Sequence, residues 1–246
     1  MEADLSVTEV GRGPAVVLVH GGVGPEITWE RQRPLAERWR LIIPKRRGFP
    51  GSGDPAERQD FETDSHDLSR LIGDRAHLVG FSYGGVGAAL VAAREPDRIR
   101  SLSLIESPIY AGAPDHPEVR RIARAGDAFL SGEADETTER EFLANAGVDP
   151  SAASGRTAAL IREAIEAARG GRPPTEAQVE LDAIAAAPFL VMVVSGDHHA
   201  GIEALSDGLA EKLGARREIV RGAGHAVPRA PGFNEVLEDF LRSAER

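Results

Sequence analysis

Ser82 sits in Gly80-Phe81-Ser82-Tyr83-Gly84-Gly85, a G-x-S-x-G arrangement between an apolar run at 76–79 and a small-residue stretch from Val86 onward. A serine at a tight strand-to-helix turn is held in a strained conformation that exposes its hydroxyl, and flanking glycines remove side chains that would clash there. A serine hydroxyl is a poor nucleophile at neutral pH, so a base must take its proton, and imidazole has the pKa for that role. Of the seven histidines, His225 is best placed, in Gly222-Ala223-Gly224-His225 directly after the last strand-like run. The chemistry these two residues would perform is acyl transfer through a serine ester. It also needs backbone N–H groups aimed at the developing oxyanion, each worth about 3 kcal/mol in the transition state. One candidate is the amide of Tyr83, at the start of the helix that follows the serine. The other comes from His20-Gly21-Gly22-Val23, with Gly22 preferred to Val23.

The elements that must position these residues are legible as short aliphatic runs bounded by turn residues, the pattern of strands buried on both faces. Such runs lie at 15–19, 41–43, 76–79, 102–105, 189–194 and 218–220, with 5–10 as a weaker edge strand, about seven in all. Helical patterns alternate with them. The stretch 84–94 is alanine-rich and stops before Pro96; Ile202, Leu205, Leu209 and Leu213 repeat at helical spacing; Val236, Leu237, Phe240 and Leu241 form one stripe. Strands alternating with helices predict an α/β fold, a mostly parallel sheet with helices on both faces joined by right-handed crossovers. One stretch breaks the alternation. From 108 to 187 there is no strand pattern but several helical ones, such as 157–169, and its flanks are rich in Pro and Gly. This predicts an α/β core made of 1–107 and 188–246, with 108–187 as an inserted helical cap.

A chain of 246 residues is long enough for one sizeable core. Its formal net charge of -10 argues against a nucleic-acid or anionic-membrane partner, because phosphate binding needs clustered Lys and Arg. Lys45-Arg46-Arg47 is the one basic cluster and reads as a loop after a strand rather than an anion site. The absence of cysteine excludes disulfides, thiolate metal sites and a Cys nucleophile. The acidic start Met1-Glu2-Ala3-Asp4, with no apolar stretch after it, predicts no secretory signal and a cytoplasmic location. The longest apolar stretch, 183–194, contains Pro188 and is well short of the roughly 20 residues of a membrane helix. Partners are therefore expected to be a small-molecule substrate and, at most, a second copy of the chain.

Four motifs in one order carry a resemblance. Leu18-Val19-His20-Gly21-Gly22 resembles an oxyanion-strand motif, Arg47-Gly48-Phe49-Pro50-Gly51-Ser52 an R-G-x-G-x-S loop, Gly80 to Gly84 a nucleophile elbow, and Gly222-Ala223-Gly224-His225 a histidine loop. Together they resemble the α/β-hydrolase superfamily, in its capped serine-hydrolase branch, over nearly the whole chain. That resemblance implies a third residue, an acid that holds the histidine tautomer and stabilises its cation. In the commonest pattern an aspartate falls three residues after a glycine ending the penultimate strand, but here Gly196 is followed by Asp197, His198 and His199. A second solution among relatives puts the acid after the strand that follows the nucleophile helix, where Leu104-Ile105-Glu106-Ser107-Pro108 stands. Glu106 is therefore preferred and Asp197 is the alternative. His198 and His199 are then expected to be loop residues facing solvent or the pocket. Adjacent side chains rarely converge on one ion, so no metal is expected.

A Ser82–His225–Glu106 set implies hydrolysis of an ester or lactone of a small, largely apolar molecule without a cofactor. Val23, Trp29 and Phe81 are candidates for the pocket lining, beside Tyr83 and Phe129. The superfamily also hosts carbon–carbon and thioester hydrolysis, peptidases, cofactor-free lyases and non-catalytic ligand-binding proteins on the same fold. The intact set of Ser82, His225, Glu106 and Gly22 argues against a purely binding role.

Overall fold

The structure is a computed structural model that describes residues 5–54, 57–148 and 154–246. Seven strands, β1 (Val7–Val10), β2 (Ala15–Val19), β3 (Arg40–Pro44), β4 (Ala76–Phe81), β5 (Ile99–Ile105), β6 (Leu190–Ser195) and β7 (Arg216–Ile219), form one sheet in the order β1-β3-β2-β4-β5-β6-β7. Only β1 is antiparallel to its neighbour; every other pairing is parallel. The helices are α1 (Pro25–Thr28), α2 (Phe61–Leu71), α3 (Gly84–Arg94), α4 (Pro117–Ser131), α5 (Glu136–Asn145), α6 (Gly155–Ala168), α7 (Leu181–Ala185), α8 (Ala200–Leu213) and α9 (Phe233–Ser243). All seven expected strands are present, with their ends moved by up to three residues. The fold is α/β.

Strand β2 shows why the sheet is central. All five of its residues are buried, with Ala15, Val17 and Val19 in one apolar cluster and Val16 and Leu18 in the other. Alternate side chains of a strand point to opposite faces, so a continuous aliphatic run fills two cores at once. On one face lie α2, α3 and α8. The other is covered by α9, whose Phe233, Leu237, Phe240 and Leu241 pack with Trp29 and Trp39. Between β5 and β6 the described residues hold α4 to α7 and no strand. Of these, α4 packs on α5 and α8, and α7 packs on α3 and α8.

Helix α3 lies unusually close to the strands because its first turn carries no bulk. A Cβ at Gly84 would stand 2.3 Å from the His20 carbonyl oxygen, and one at Gly80 2.5 Å from the Gly85 Cα. This tight seating brings the N-terminus of α3 against the end of β2, where the loop 20–23 begins. Asp60 is the N-cap of α2, its carboxylate accepting the N–H groups of Glu62 and Thr63.

Candidate active site

Ser82 occupies the turn between β4 and α3 with φ +51°, in the left-handed region that non-glycine residues rarely adopt. Its N–H donates to the Ile105 carbonyl at 2.8 Å, which pins the turn to β5. Ser82 Oγ lies 3.1 Å from His225 Nε2. His225 follows β7 on a loop where Gly224 donates to the Gly196 carbonyl at 3.1 Å; a Cβ at Gly196 would fall 1.8 Å from the Gly224 oxygen, so the β6 and β7 loops touch backbone to backbone.

Glu106 is the first residue after β5 and also has φ +51°. Its N–H donates to the Val194 carbonyl at 2.9 Å, and its side chain is buried beneath His225. One carboxylate oxygen, Oε1, accepts the Gly196 N–H at 2.7 Å. The other, Oε2, is 3.0 Å from His225 Nδ1 and 2.8 Å from His198 Nε2. Burial alone pushes the Glu106 pKa up, but the hydrogen bonds from His198 and His225 outweigh it and the net shift is downward. Asp197, the alternative acid, points elsewhere: its carboxylate meets Arg221 at 3.1 Å on the surface.

The neighbouring histidines have partners that the sequence pattern does not show. His198 is a loop residue as expected, but it is half-buried with its ring turned to Glu106, and this hydrogen bond raises its pKa against the opposing effect of burial. His199 is the N-cap of α8, its Nδ1 accepting the Gly201 N–H at 3.1 Å. Glu106, His198 and His225 form a cluster whose ligand-type atoms lie within 4.8 Å of one another, the one such group among the described residues. Both rings turn a nitrogen to the same carboxylate oxygen, so the cluster is a hydrogen-bond network centred on Glu106.

On the other side of Ser82 runs the loop 20–23. A Cβ at Gly21 would lie 2.6 Å from the Ser82 Cβ and 3.2 Å from its Oγ, so only glycine allows the loop to cross here. The Gly21 carbonyl accepts from Arg46 Nη1 at 3.0 Å, and the trans Gly21–Gly22 peptide therefore points its N–H the other way. Tyr83 is the N-cap of α3, with its amide at the helix start beside Ser82. The Val23 carbonyl accepts the Thr28 hydroxyl at 3.0 Å. The Phe81 ring is 5.1 Å from the His225 ring, whereas Trp29 is fully buried and lies behind Phe81, the two rings edge to face at 6.4 Å. Phe129 is buried against Phe142 in the helical segment.

Arg46 has a larger part in this wall than a loop cation would. Its side chain is 2% exposed, ion-paired with Asp64 of α2 at 2.7 Å, and it lies 4.6 Å over the Tyr83 ring. Arg47 pairs in the same way with Asp67 at 2.7 Å. The Tyr83 hydroxyl in turn donates to the Arg172 carbonyl at 2.8 Å, and Gly147 at the end of α5 abuts the His225 Cβ. The segment between β5 and β6 thus touches both sides of Ser82.

Residues 14–166 match the family model described as the alpha/beta hydrolase fold. The chain belongs to that family. Among curated proteins, it is 30% identical over 145 residues to the pimeloyl-[acyl-carrier protein] methyl ester esterase of Aeromonas hydrophila subsp. hydrophila, covering 57% of this chain and 56% of that esterase. The chain thus spans a little over half the length of that relative. It is also 33% identical over 260 aligned positions to polyketide synthase ThaQ of Burkholderia thailandensis, covering 96% of this chain and 12% of the synthase. Among solved structures, the N-acyl homoserine lactonase AidH complexed with N-butanoyl homoserine superposes with a TM-score of 0.74 at 20% identity, covering 100% of this chain and 95% of that one. No helix among the described residues of this family member is long and apolar enough to cross a membrane.

Proposed function

We propose that this α/β-hydrolase family member is a serine hydrolase of ester or lactone bonds in small, largely apolar molecules. The observation that carries the reading is the continuous relay from Ser82 Oγ through His225 Nε2 and Nδ1 to Glu106 Oε2, with steps of 3.1 and 3.0 Å. His225 Nε2 takes the Ser82 proton as Oγ attacks the ester carbonyl, and Glu106 holds the Nδ1–H tautomer and stabilises the imidazolium. The oxyanion faces the amides of Tyr83 and Gly22, with Val23 next along the same loop. As the C–O bond breaks, the leaving alkoxide takes the proton from His225; for a lactone it remains tethered as a hydroxyl. A water, deprotonated by His225, then attacks the acyl-Ser82 ester and releases the acid and the free serine. No cofactor enters this sequence. The segment 108–187 acts as the cap, and Phe81 with the 20–23 loop forms the pocket floor. The names of the Aeromonas esterase and the AidH lactonase support the choice of bond; a cytoplasmic location is part of the same proposal.

The test is the rate of covalent labelling by a fluorophosphonate probe, beside turnover of p-nitrophenyl butyrate and N-butanoyl homoserine lactone. Wild type should label and turn over at least one substrate, and Ser82→Ala should lose about 10³-fold or more in both. Labelling of Ser82→Ala at the wild-type rate would refute the nucleophile. Wild-type protein that neither labels nor hydrolyses either substrate would refute the enzyme reading.

A further inference from the structure

Nothing in the Ser82–His225–Glu106 relay requires His198, yet it makes the shorter of the two imidazole contacts to Glu106, 2.8 Å against 3.0 Å. The two rings stand 5.9 Å apart between centroids and nearly perpendicular, at 70°, so they approach Oε2 from different directions. We propose that His198 is a positioning residue: its Nε2–H fixes the Glu106 carboxylate for His225, and its protonation claims that carboxylate's charge, so that activity falls at low pH through two coupled protonations. The inference rests on the reading of Ser82, His225 and Glu106 as the reacting set.

The positioning half follows from local geometry. Glu106 has two methylenes of freedom and a left-handed backbone, so its carboxylate needs several donors to stay in one place. It has three: the Gly196 N–H on Oε1, and the two rings on Oε2. Gly196 belongs to the backbone and its donor is constant. His198 is the one donor besides His225 that can gain or lose a charge.

The titration half follows from the charges around the ring. Glu106 faces His198 from the end of β5, Glu203 from α8, His199 from the adjacent position and His225 from the β7 loop. Glu203 is already engaged by the Ser195 hydroxyl, the Asp197 N–H and Arg217, and Asp197 turns to Arg221. The negative charge in contact with His198 is therefore the one that His225 needs. A carboxylate can compensate one imidazolium fully but not two, and groups coupled in this way titrate as a set rather than singly. Once His198 carries a proton, forming imidazolium at His225 during Ser82 attack becomes less favourable.

The experiment is the pH profile of kcat/KM for wild type, His198→Ala and His198→Gln, on whichever ester or lactone wild type hydrolyses. It is read beside the proton NMR titration of the His198 and His225 ring C–H signals. Gln places an amide N–H near the position of Nε2–H but does not titrate. Wild type should show an acid limb steeper than one proton. His198→Ala should lose about 10-fold in kcat with KM little changed, and should fall with a single proton. His198→Gln should recover most of the kcat and keep the single-proton limb, a combination that loss of packing alone would not give. Equal acid-limb slopes in wild type and His198→Gln, or wild-type kcat in His198→Ala, would overturn the proposal. If wild type has no turnover, the functional reading fails instead. The NMR titration then decides the His198–Glu106 coupling by itself: the His225 transition moves in His198→Gln if the coupling exists and stays put if it does not.

Discussion

Histidines stand on two sides of Ser82, one on the first and a pair on the second, in opposite surroundings. His20 is fully buried; its Nδ1–H donates to the Gly21 carbonyl at 3.0 Å and its Nε2 accepts the Arg46 N–H at 2.9 Å, which fixes one neutral tautomer. Burial, and then the Arg46 guanidinium, hold its pKa well below the ordinary histidine value. His198 and His225, half-buried, share the carboxylate of Glu106. The same imidazole is thus a fixed strut where its charged neighbour is a cation, and suited to carry a proton where that neighbour is an anion. Damage to the first side should register mainly in stability, damage to the second in rate.

The largest effect expected on the strut side is at Arg46. Replacing it by Met leaves Asp64 buried without its partner, and loss of one member of a buried pair costs about 3–5 kcal/mol. Urea denaturation should show this loss, and the double variant Arg46→Met/Asp64→Asn should recover part of it. A loss below about 1 kcal/mol in Arg46→Met would mean that the wall beside Ser82 does not depend on the pair.

His20 supplies the next effect, through pH. Its folded pKa lies below that of the unfolded chain, so below about pH 6.5 the unfolded state binds more protons and stability falls as pH falls. The contribution is at most about 1.4 kcal/mol per pH unit. It is fully present above that pH and is lost progressively on acidification. His20→Asn should be less stable than wild type at pH 7.5 and lose less on going to pH 5.5, as measured by denaturation midpoints at both values. A wild-type slope retained in His20→Asn would place the acid sensitivity elsewhere.

This contrast also explains what could be read from the sequence. Ser82 and His225 were legible because each sits among glycines whose spacing encodes a tight turn after a strand, a local signal. Glu106 was legible only through the order of motifs; its carboxylate lies 3.0 Å from His225 Nδ1. Arg46 reads as a loop cation because its partner is 18 residues away on α2, where Asp64, Ser65 and Asp67 are buried beside Phe61 and Leu68 and nothing local marks them as partners of a distant cation. His198 reads only as a loop residue facing solvent or the pocket for a similar reason: its partner is 92 residues away, and nothing local distinguishes it from His199. Polar networks that close across the sheet leave no periodic trace. The helical segment between β5 and β6 was visible as a break in the alternation, but the contacts of its loop residues Arg172 and Gly147 with Tyr83 and His225 were not.

One of those contacts gives a smaller effect on the proton-carrying side. Gly147 has φ +65°, and a Cβ there would lie 3.1 Å from the His225 Cβ. Gly147→Ala should therefore cost about 1–2 kcal/mol of stability from the backbone alone. It should also lower kcat several-fold by displacing the ring from Ser82, with the denaturation midpoint reporting the first and ester turnover the second. Unchanged kcat would show that the end of α5 does not bear on His225.

The smallest effect is expected at Asp197, and it is the sharpest test of which carboxylate belongs to the reacting side. Asp197 shares with Ser82 and Glu106 a left-handed backbone, at φ +60°, so backbone strain does not by itself mark the acid. What separates them is the partner. Asp197 is exposed and meets Arg221, itself exposed, and such surface pairs contribute about 0–1 kcal/mol. Glu106 is enclosed and meets two imidazoles. Asp197→Asn should leave the denaturation midpoint nearly unchanged and alter the labelling rate by less than about 2-fold, whereas Glu106→Gln should slow labelling by about 10²–10⁴-fold because it cannot hold the same tautomer and cation. If the two variants were to exchange these outcomes, the anion governing His225 would be Asp197, and the division between strut and proton carrier would no longer follow from the charge in contact with each ring.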